Sequence, residues 1–381
     1  MNENFRRLPE SDKVVLTQIF GLTSDTSYDN VLQNILPDII YGWGLSKDSA
    51  YAETKLKSIK VALEKLWVQL ARKFQTFKIF EDFEAFEKVL FQSNSEYRGH
   101  YVHQFDVYLL GYYLLNRILK ANDLAAEKLN TSSNPNFTWL LAATFHDMGY
   151  PIEQIDNWLS AFLNVFLKVD ATYPIEIERI LTPVFFNYLR YISEEHYNLT
   201  IDQIAPSGHS PVTDWAFHSN LETNLRKKNH GVISSLLLIH SFFTREKITQ
   251  SDTWFFETFP NEVLPACHAI ALHSLEGMEK VSFAKCPYAF LLQLCDAIQD
   301  WQRSLGGTDY SELKALDFSL SQNTPKMKFV LQINQEKKIA ELDQLIGRLE
   351  TNGLIHVEIE QQGTNKQWIL RDEIPPQETL R

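Results

Sequence analysis

Residues 139–151 read Trp-Leu-Leu-Ala-Ala-Thr-Phe-His-Asp-Met-Gly-Tyr-Pro. The first seven are uncharged and almost wholly apolar, with none of the alternation of a half-buried strand. The spacing predicts a helix buried on all sides that stops where Gly149 and Pro151 punctuate the chain. His146 and Asp147 close that helix. A histidine and a carboxylate at the end of a buried apolar helix are costly unless they are paired or coordinated to a metal.

Helical periodicity extends outward from this stretch. Across 59–77 the residues Val61, Leu63, Leu66, Trp67, Leu70, Phe74 and Phe77 recur at steps of three and four, and Phe80, Phe83, Phe86 and Leu90 continue them. Residues 101–119 predict a helix apolar on most sides, and 232–243 and 287–301 predict two more. No alternating-strand pattern and no internal repeat is seen before about residue 325. Residues 198–229, with Pro206, Gly208, Pro211 and Asn220, read as a long loop, and 304–325, with Gly306-Gly307, as a linker. Beyond it, 326–333 alternates as a strand, and 335–350 is an amphipathic helix with Ile339, Leu342, Leu345, Ile346 and Leu349 on one face. Residues 354–360 and 366–370 form a hairpin around Gly363. The expected fold class is mainly α. A helical N-terminal region (1–95) precedes a helical domain (96–303), the linker (304–325) and a small α+β appendage of βαββ order (326–381).

The chain has 381 residues, 44% hydrophobic and 22% charged, which excludes a wholly disordered or fibrous protein. Against 48 acidic residues stand 36 basic ones, a net charge of −12. That sign argues against binding long nucleic acid through phosphate neutralisation. Cys267, Cys286 and Cys295 have no paired spacing, so neither a disulfide framework nor a CxxC zinc site is expected. The first residues carry no apolar leader, and no apolar run approaches the roughly 20 residues that span a bilayer. The expectation is a cytoplasmic protein without a membrane partner.

Of the 11 histidines, several stand on apolar helices in a telling order. His100 and His103 share one helical face, His146-Asp147 follows, then His230, His268 and His273, and last Asp296 within Leu-Leu-Gln-Leu-Cys-Asp-Ala-Ile. A single histidine on such a helix is more often a satisfied core residue than a ligand. The ordered set changes those odds. His268 and His273 leave a helix about 140° apart, so both cannot face one centre without distortion.

Over about 97–303 this set resembles the HD-domain superfamily of metal-dependent phosphohydrolases, whose H…HD…D pattern matches His103, His146, Asp147 and Asp296. Members with two metals add two histidines, matched by His230 in Asn229-His230-Gly231 and by His273 in Ala269-Ile270-Ala271-Leu272-His273. Leu272 stands where the HD-GYP subgroup has the first of two adjacent histidines, which places the chain in the wider superfamily. The resemblance implies an HD-domain helical bundle. It further implies six metal ligands (His103, His146, Asp147, His230, His273 and Asp296), with Asp147 bridging two divalent ions and His146 and Asp147 at the catalytic centre. Imidazole and carboxylate suit Mn, Fe, Co, Ni or Zn better than Mg. Two such ions about 3.5–4 Å apart could hold a bridging hydroxide for attack on phosphorus. The expected substrate is a small phosphorylated molecule, a nucleotide or cyclic nucleotide.

His273 is then taken as the ligand, and His268 as a packing or hydrogen-bonding residue. Arg98 and His100 have two readings, a phosphate-facing or supporting role and a solvated helix start. Lys228, in Arg226-Lys227-Lys228, and Arg303, two turns after Asp296, are the basic candidates for substrate binding. The 198–229 loop could close as a lid. Two rivals keep the fold: a mixed-valence di-iron oxygenase, and a nucleotide-sensing scaffold without turnover. The amphipathic 59–90 region could serve as a homodimer face as easily as core.

Overall fold

The computed structural model describes residues 59–64, 83, 100–121, 124–130, 132, 134–153, 223–224, 227, 229–245, 259–275, 280–299, 311–321 and 324–371. The described part is mainly helical with a small sheet region. Most of the expected N-terminal region 1–95 and most of the 198–229 loop lie outside the described residues. The chain divides into two compact units, each assembled from separated segments. One comprises Met1–Lys73, Arg98–Thr131 and Lys280–Arg381; the other comprises Phe74–Tyr97 and Ser132–Glu279.

The first unit holds α1 (His100–Ala121), α2 (Leu124–Leu129), β1 (Val281–Ser282), α6 (Pro287–Ile298), β2 (Ser311–Ser321), β3 (Thr324–Ile333), α7 (Glu336–Arg348), β4 (Leu349–Glu350), β5 (His356–Gln361) and β6 (Gln367–Leu370). The helix α1 is buried on nearly every side, as its all-round apolar sequence predicts. It packs on α6, whose Tyr288 hydroxyl donates to the Leu129 carbonyl of α2 (2.7 Å). Pro287 begins α6 at a position where its missing N–H costs nothing.

Four strands form a sheet in the order β2-β3-β5-β6. β2 and β3 are antiparallel, β3 and β5 parallel with α7 between them in sequence, and β5 and β6 antiparallel. One face buries Met327, Phe329, Leu331, Val357, Ile359, Trp368 and Leu370. The helix α7 packs on β3 and β6, with Leu342 and Leu345 buried and Asp343 accepting the Trp368 indole N–H (2.6 Å). The other face carries the ion pairs Lys326–Glu358 and Lys328–Glu360, both at 2.8 Å. A short parallel pair, β1 with β4, ties the start of α6 to the end of α7.

Two sequence expectations are corrected here. The stretch 304–325 is not simply a linker, because residues 311–321 form the edge strand β2 and the appendage gains a strand ahead of βαββ. The absence of an alternating pattern before residue 325 likewise does not mean an absence of strands: β1 is too short to alternate, and β2 hides its alternation. The physical reason is a bulge: the register with β3 shifts between Leu313 and Ala315. Inward residues are Ser311 and Leu313 before the shift and Leu316 after it, so the two-residue period changes phase mid-strand and is lost to a linear reading. Helix α6 ends at Ile298, where the Gln299 N–H bonds the Cys295 carbonyl, short of the expected residue 301.

The second unit holds α3 (Pro135–Phe145), α4 (His230–Arg245), one π turn (Phe259–Val263) and α5 (Leu264–Ser274). Asn134 caps α3 by accepting the Phe137 N–H (3.1 Å), and Pro135 occupies its first turn. Trp139, Leu140, Leu141 and Phe145 are fully buried. Helix α5 packs on both α3 and α4. Two glycines set how closely these elements approach. A Cβ on Gly149 would overlap the His230 carbonyl oxygen, and one on Gly231 would overlap the Ser274 hydroxyl and lie 2.7 Å from the Ile270 carbonyl oxygen. Only hydrogen fits at either place.

Candidate metal centre

The close approaches at Gly149 and Gly231 bring four of the expected residues together in the second unit. His146 ends α3, Asp147 stands in the following turn, His230 opens α4 and His273 lies in the last turn of α5. Asp147 Oδ2 is 3.4 Å from His146 Nε2, while Oδ1 is 3.7 Å from His230 Nε2 and 3.8 Å from His273 Nε2. The Nε2 atoms of His230 and His273 are 3.2 Å apart. Ligand atoms of Asp147, His230 and His273 all fall within 4.8 Å of one another, a grouping able to hold a metal ion.

The acceptors behind the rings decide which nitrogen faces the cluster. His146 Nδ1–H donates to the Ala143 carbonyl (2.8 Å), and His273 Nδ1–H to the Ile270 carbonyl (2.5 Å). His230 Nδ1–H donates to the Glu153 carboxylate (3.2 Å), on the helical turn after Gly149. With Nδ1 carrying a proton, each ring turns its Nε2 toward Asp147, and the neutral tautomer presents a lone pair there. This is the tautomer that a ligating histidine needs, with its outer nitrogen held by a carbonyl or carboxylate.

Three protonated rings here would repel strongly, since the His230–His273 and His146–His273 ring centroids lie 5.1 and 5.2 Å apart. Two lone pairs facing each other at 3.2 Å beside a buried carboxylate are relieved by one shared cation. Two nitrogens each about 2.1 Å from one ion, at angles of about 90–110°, stand about 3.0–3.4 Å apart. The donor set therefore fits a divalent metal. His146, Asp147 and His273 are almost wholly buried, whereas His230 and Glu153 side chains are 24% and 31% exposed, so water reaches the cluster from their side.

The first unit brings together the other two expected residues. His103 Nε2 on α1 lies 2.8 Å from Asp296 Oδ1 on α6. The Gln299 amide N–H donates to Asp106 (3.3 Å), which turns its oxygen toward His103 Nδ1. His103 therefore faces an acceptor at each ring nitrogen, the Gln299 amide oxygen at Nδ1 and the Asp296 carboxylate at Nε2, where an Nε2–H donates to Asp296. Asp106 lies three residues after His103, and Gln299 three after Asp296. That spacing on apolar helices was a readable signal for both supporting groups. No comparable signal marks Glu153, which lies across a turn from Asp147.

His268 also lies on α5, and burial pushes its pKa down to about 4. His100 is buried on α1, which excludes the solvated-helix-start reading for it. Arg98, Lys228 and Arg303 lie outside the described residues, as do His209 and His218. Lys227, from the same basic cluster as Lys228, is exposed. Among the described residues, no helix is long and apolar enough to cross a membrane. No protein-family model, curated protein or solved structure matches the chain.

Proposed function

We propose that the chain is a divalent-metal-dependent phosphohydrolase of the HD type, acting on a phosphate ester of a nucleotide or cyclic nucleotide. The observation that carries this reading is the common tautomer of His146, His230 and His273. Each has its Nδ1 committed to an acceptor and its Nε2 directed at the buried Asp147 carboxylate. Those four side chains would hold the ion. The sequence resemblance adds His103 and Asp296 to the ligand set.

A bound divalent ion would supply Lewis-acid polarisation of a phosphoryl oxygen and lower the pKa of water toward neutrality. The protein's part is to keep the imidazoles neutral and oriented, through Glu153 and the Ala143 and Ile270 carbonyls, and to exclude bulk water from Asp147. Imidazole and carboxylate favour Mn, Fe, Co, Ni or Zn as the ion. An acidic chain gains from it the local positive charge that a phosphate substrate needs.

The test is metal analysis of the purified protein, followed by a hydrolysis screen of mononucleotides and cyclic nucleotides with Mn²⁺, Co²⁺ or Fe²⁺. Wild type should carry metal and release product, and Asp147→Ala should lose both. Full activity in Asp147→Ala, or a metal-free and inert wild type under every ion, overturns the proposal. Metal stoichiometry in His103→Ala and Asp296→Ala decides whether those two belong to the set.

A further inference from the structure

The residues immediately outside His230 and His273 form a hydrogen-bonded clamp. Asn229 precedes His230 and caps α4: its carbonyl accepts the Ile233 N–H (3.0 Å) and its Oδ1 accepts the Val232 N–H (3.1 Å). The same Oδ1 accepts the hydroxyl proton of Ser274 (2.7 Å), the residue after His273. Asn229 Nδ2–H donates to the Ser274 carbonyl (2.8 Å), and the Gly231 N–H donates to the Ser274 hydroxyl (3.2 Å). Three hydrogen bonds thus cross between the first turn of α4 and the last turn of α5, all within one residue of the two histidines.

A cap needs only one of these contacts. An ordinary N-cap uses its side-chain oxygen on the helix's own N–H groups and leaves a neighbouring helix alone. Here the amide nitrogen, which a cap does not use, reaches a second helix, and the serine hydroxyl both donates to and accepts from the α4 side. A helix ending at Ser274 would otherwise leave its last carbonyls without intrahelical partners.

We infer that Asn229 and Ser274 are positioning residues that set the His230–His273 separation, holding the two Nε2 atoms 3.2 Å apart, the span one ion bridges. This inference rests on the metal-centre reading above. The clamp acts through the ligands rather than on the ion: it sets where α4 begins relative to where α5 ends. Glu153 and Ile270 turn the rings, and the clamp sets the distance between them.

The experiment measures Co²⁺ affinity by calorimetry and the visible absorption of bound Co²⁺, using the full chain stripped of metal. The variants are Asn229→Ser, Ser274→Ala, the double variant and Ser274→Thr. Asn229→Ser keeps a good helix cap but lacks the amide and the reach, so it separates capping from clamping. Asn229→Ser and Ser274→Ala are expected to bind Co²⁺ about tenfold or more weakly, the scale seen when groups orienting a ligating histidine are removed. Their Co²⁺ bands should shift. The double variant should be no worse than the weaker single one, because both substitutions break the same clamp. Ser274→Thr retains the hydroxyl and should bind as wild type does.

Wild-type affinity and an unshifted band in both single variants overturn the inference, whatever happens to stability without metal. So do additive losses in the double variant. A wild type that binds no Co²⁺ refutes the metal-centre reading itself, and the two failures are told apart by that first arm.

Discussion

Replacing Gly231 by alanine tests whether close helix approach is what assembles the cluster. A Cβ there would overlap the Ser274 hydroxyl and lie 2.7 Å from the Ile270 carbonyl oxygen and 2.9 Å from His273 Cε1. Ordinary contact begins near 3.4 Å, so α5 must retreat by about 0.7 Å or more. The hydroxyl can rotate, although that breaks its bond to Asn229; the Ile270 carbonyl is backbone and can move only with the helix. Overpacking of this kind costs about 1–3 kcal/mol. Alanine's better helix propensity returns at most about 1 kcal/mol. The net loss is about 1–2 kcal/mol. The same retreat carries His273 from 3.2 Å toward 4 Å from His230, beyond the span of about 3.4 Å that one ion bridges.

Urea unfolding in EDTA should therefore show lower stability, and calorimetry with Mn²⁺ should show affinity at least about tenfold weaker. Gly347→Ala is the internal control. It makes the identical chemical change on the exposed side of α7, where a Cβ meets nothing within 4 Å. It should gain about 0.5–1 kcal/mol and leave metal affinity unchanged. A Gly231→Ala protein as stable and as tightly metal-binding as wild type would refute the reasoning.

Three further outcomes are expected. Removing the Glu153 carboxylate with Glu153→Ala frees the His230 ring, and metal affinity by calorimetry should fall about 10–100-fold, with Glu153→Gln in between because it keeps one acceptor oxygen. His268 has a folded-state pKa of about 4, below its ordinary 6.5, so between those values the unfolded chain binds a proton that the folded chain does not. Its contribution is complete above pH 6.5 and is lost as pH falls toward 4, amounting to about 3 kcal/mol. Urea midpoints against pH should show that slope in wild type and a shallower one in His268→Gln; parallel curves would contradict it. Burial pushes the Cys286 thiol up to about 12 and raises those of Cys267 and Cys295 as well. At pH 8 a thiol-specific reagent should label none of the three in the native protein and all three in denaturant.

What the sequence disclosed and what it hid follow one physical distinction. Helices α1, α3 and α6 were legible because burial on nearly every side leaves long apolar runs that no strand of that length would carry. The residues of the candidate site were legible for the same reason: a histidine or carboxylate stands out against such a run. Strand β2 was hidden because its bulge between Leu313 and Ala315 changes the phase of the inward residues, and the signal for a strand is phase. The angle along one helix showed that His268 and His273 cannot both face one centre, the resemblance singled out His273, and the cluster contains His273.

The orientation of the rings was not legible, and this is the property on which metal binding turns. Two of the groups that hold Nδ1 are the backbone carbonyls of Ala143 and Ile270, which every residue possesses and which therefore leave no mark in a sequence. Each lies three residues before the histidine it holds, and Ala143 is among the last carbonyls of α3, which have no intrahelical partner. The Ile270 carbonyl is also the i−4 acceptor for the Ser274 N–H, so His273 takes the second lone pair of an oxygen that the helix ladder already uses. Position just past a helix end is thus what gives His146 an open carbonyl, whereas His273 shares one with the ladder. The stop signal that follows His146, Gly149 with Pro151, therefore belongs to the candidate site as much as its histidines do.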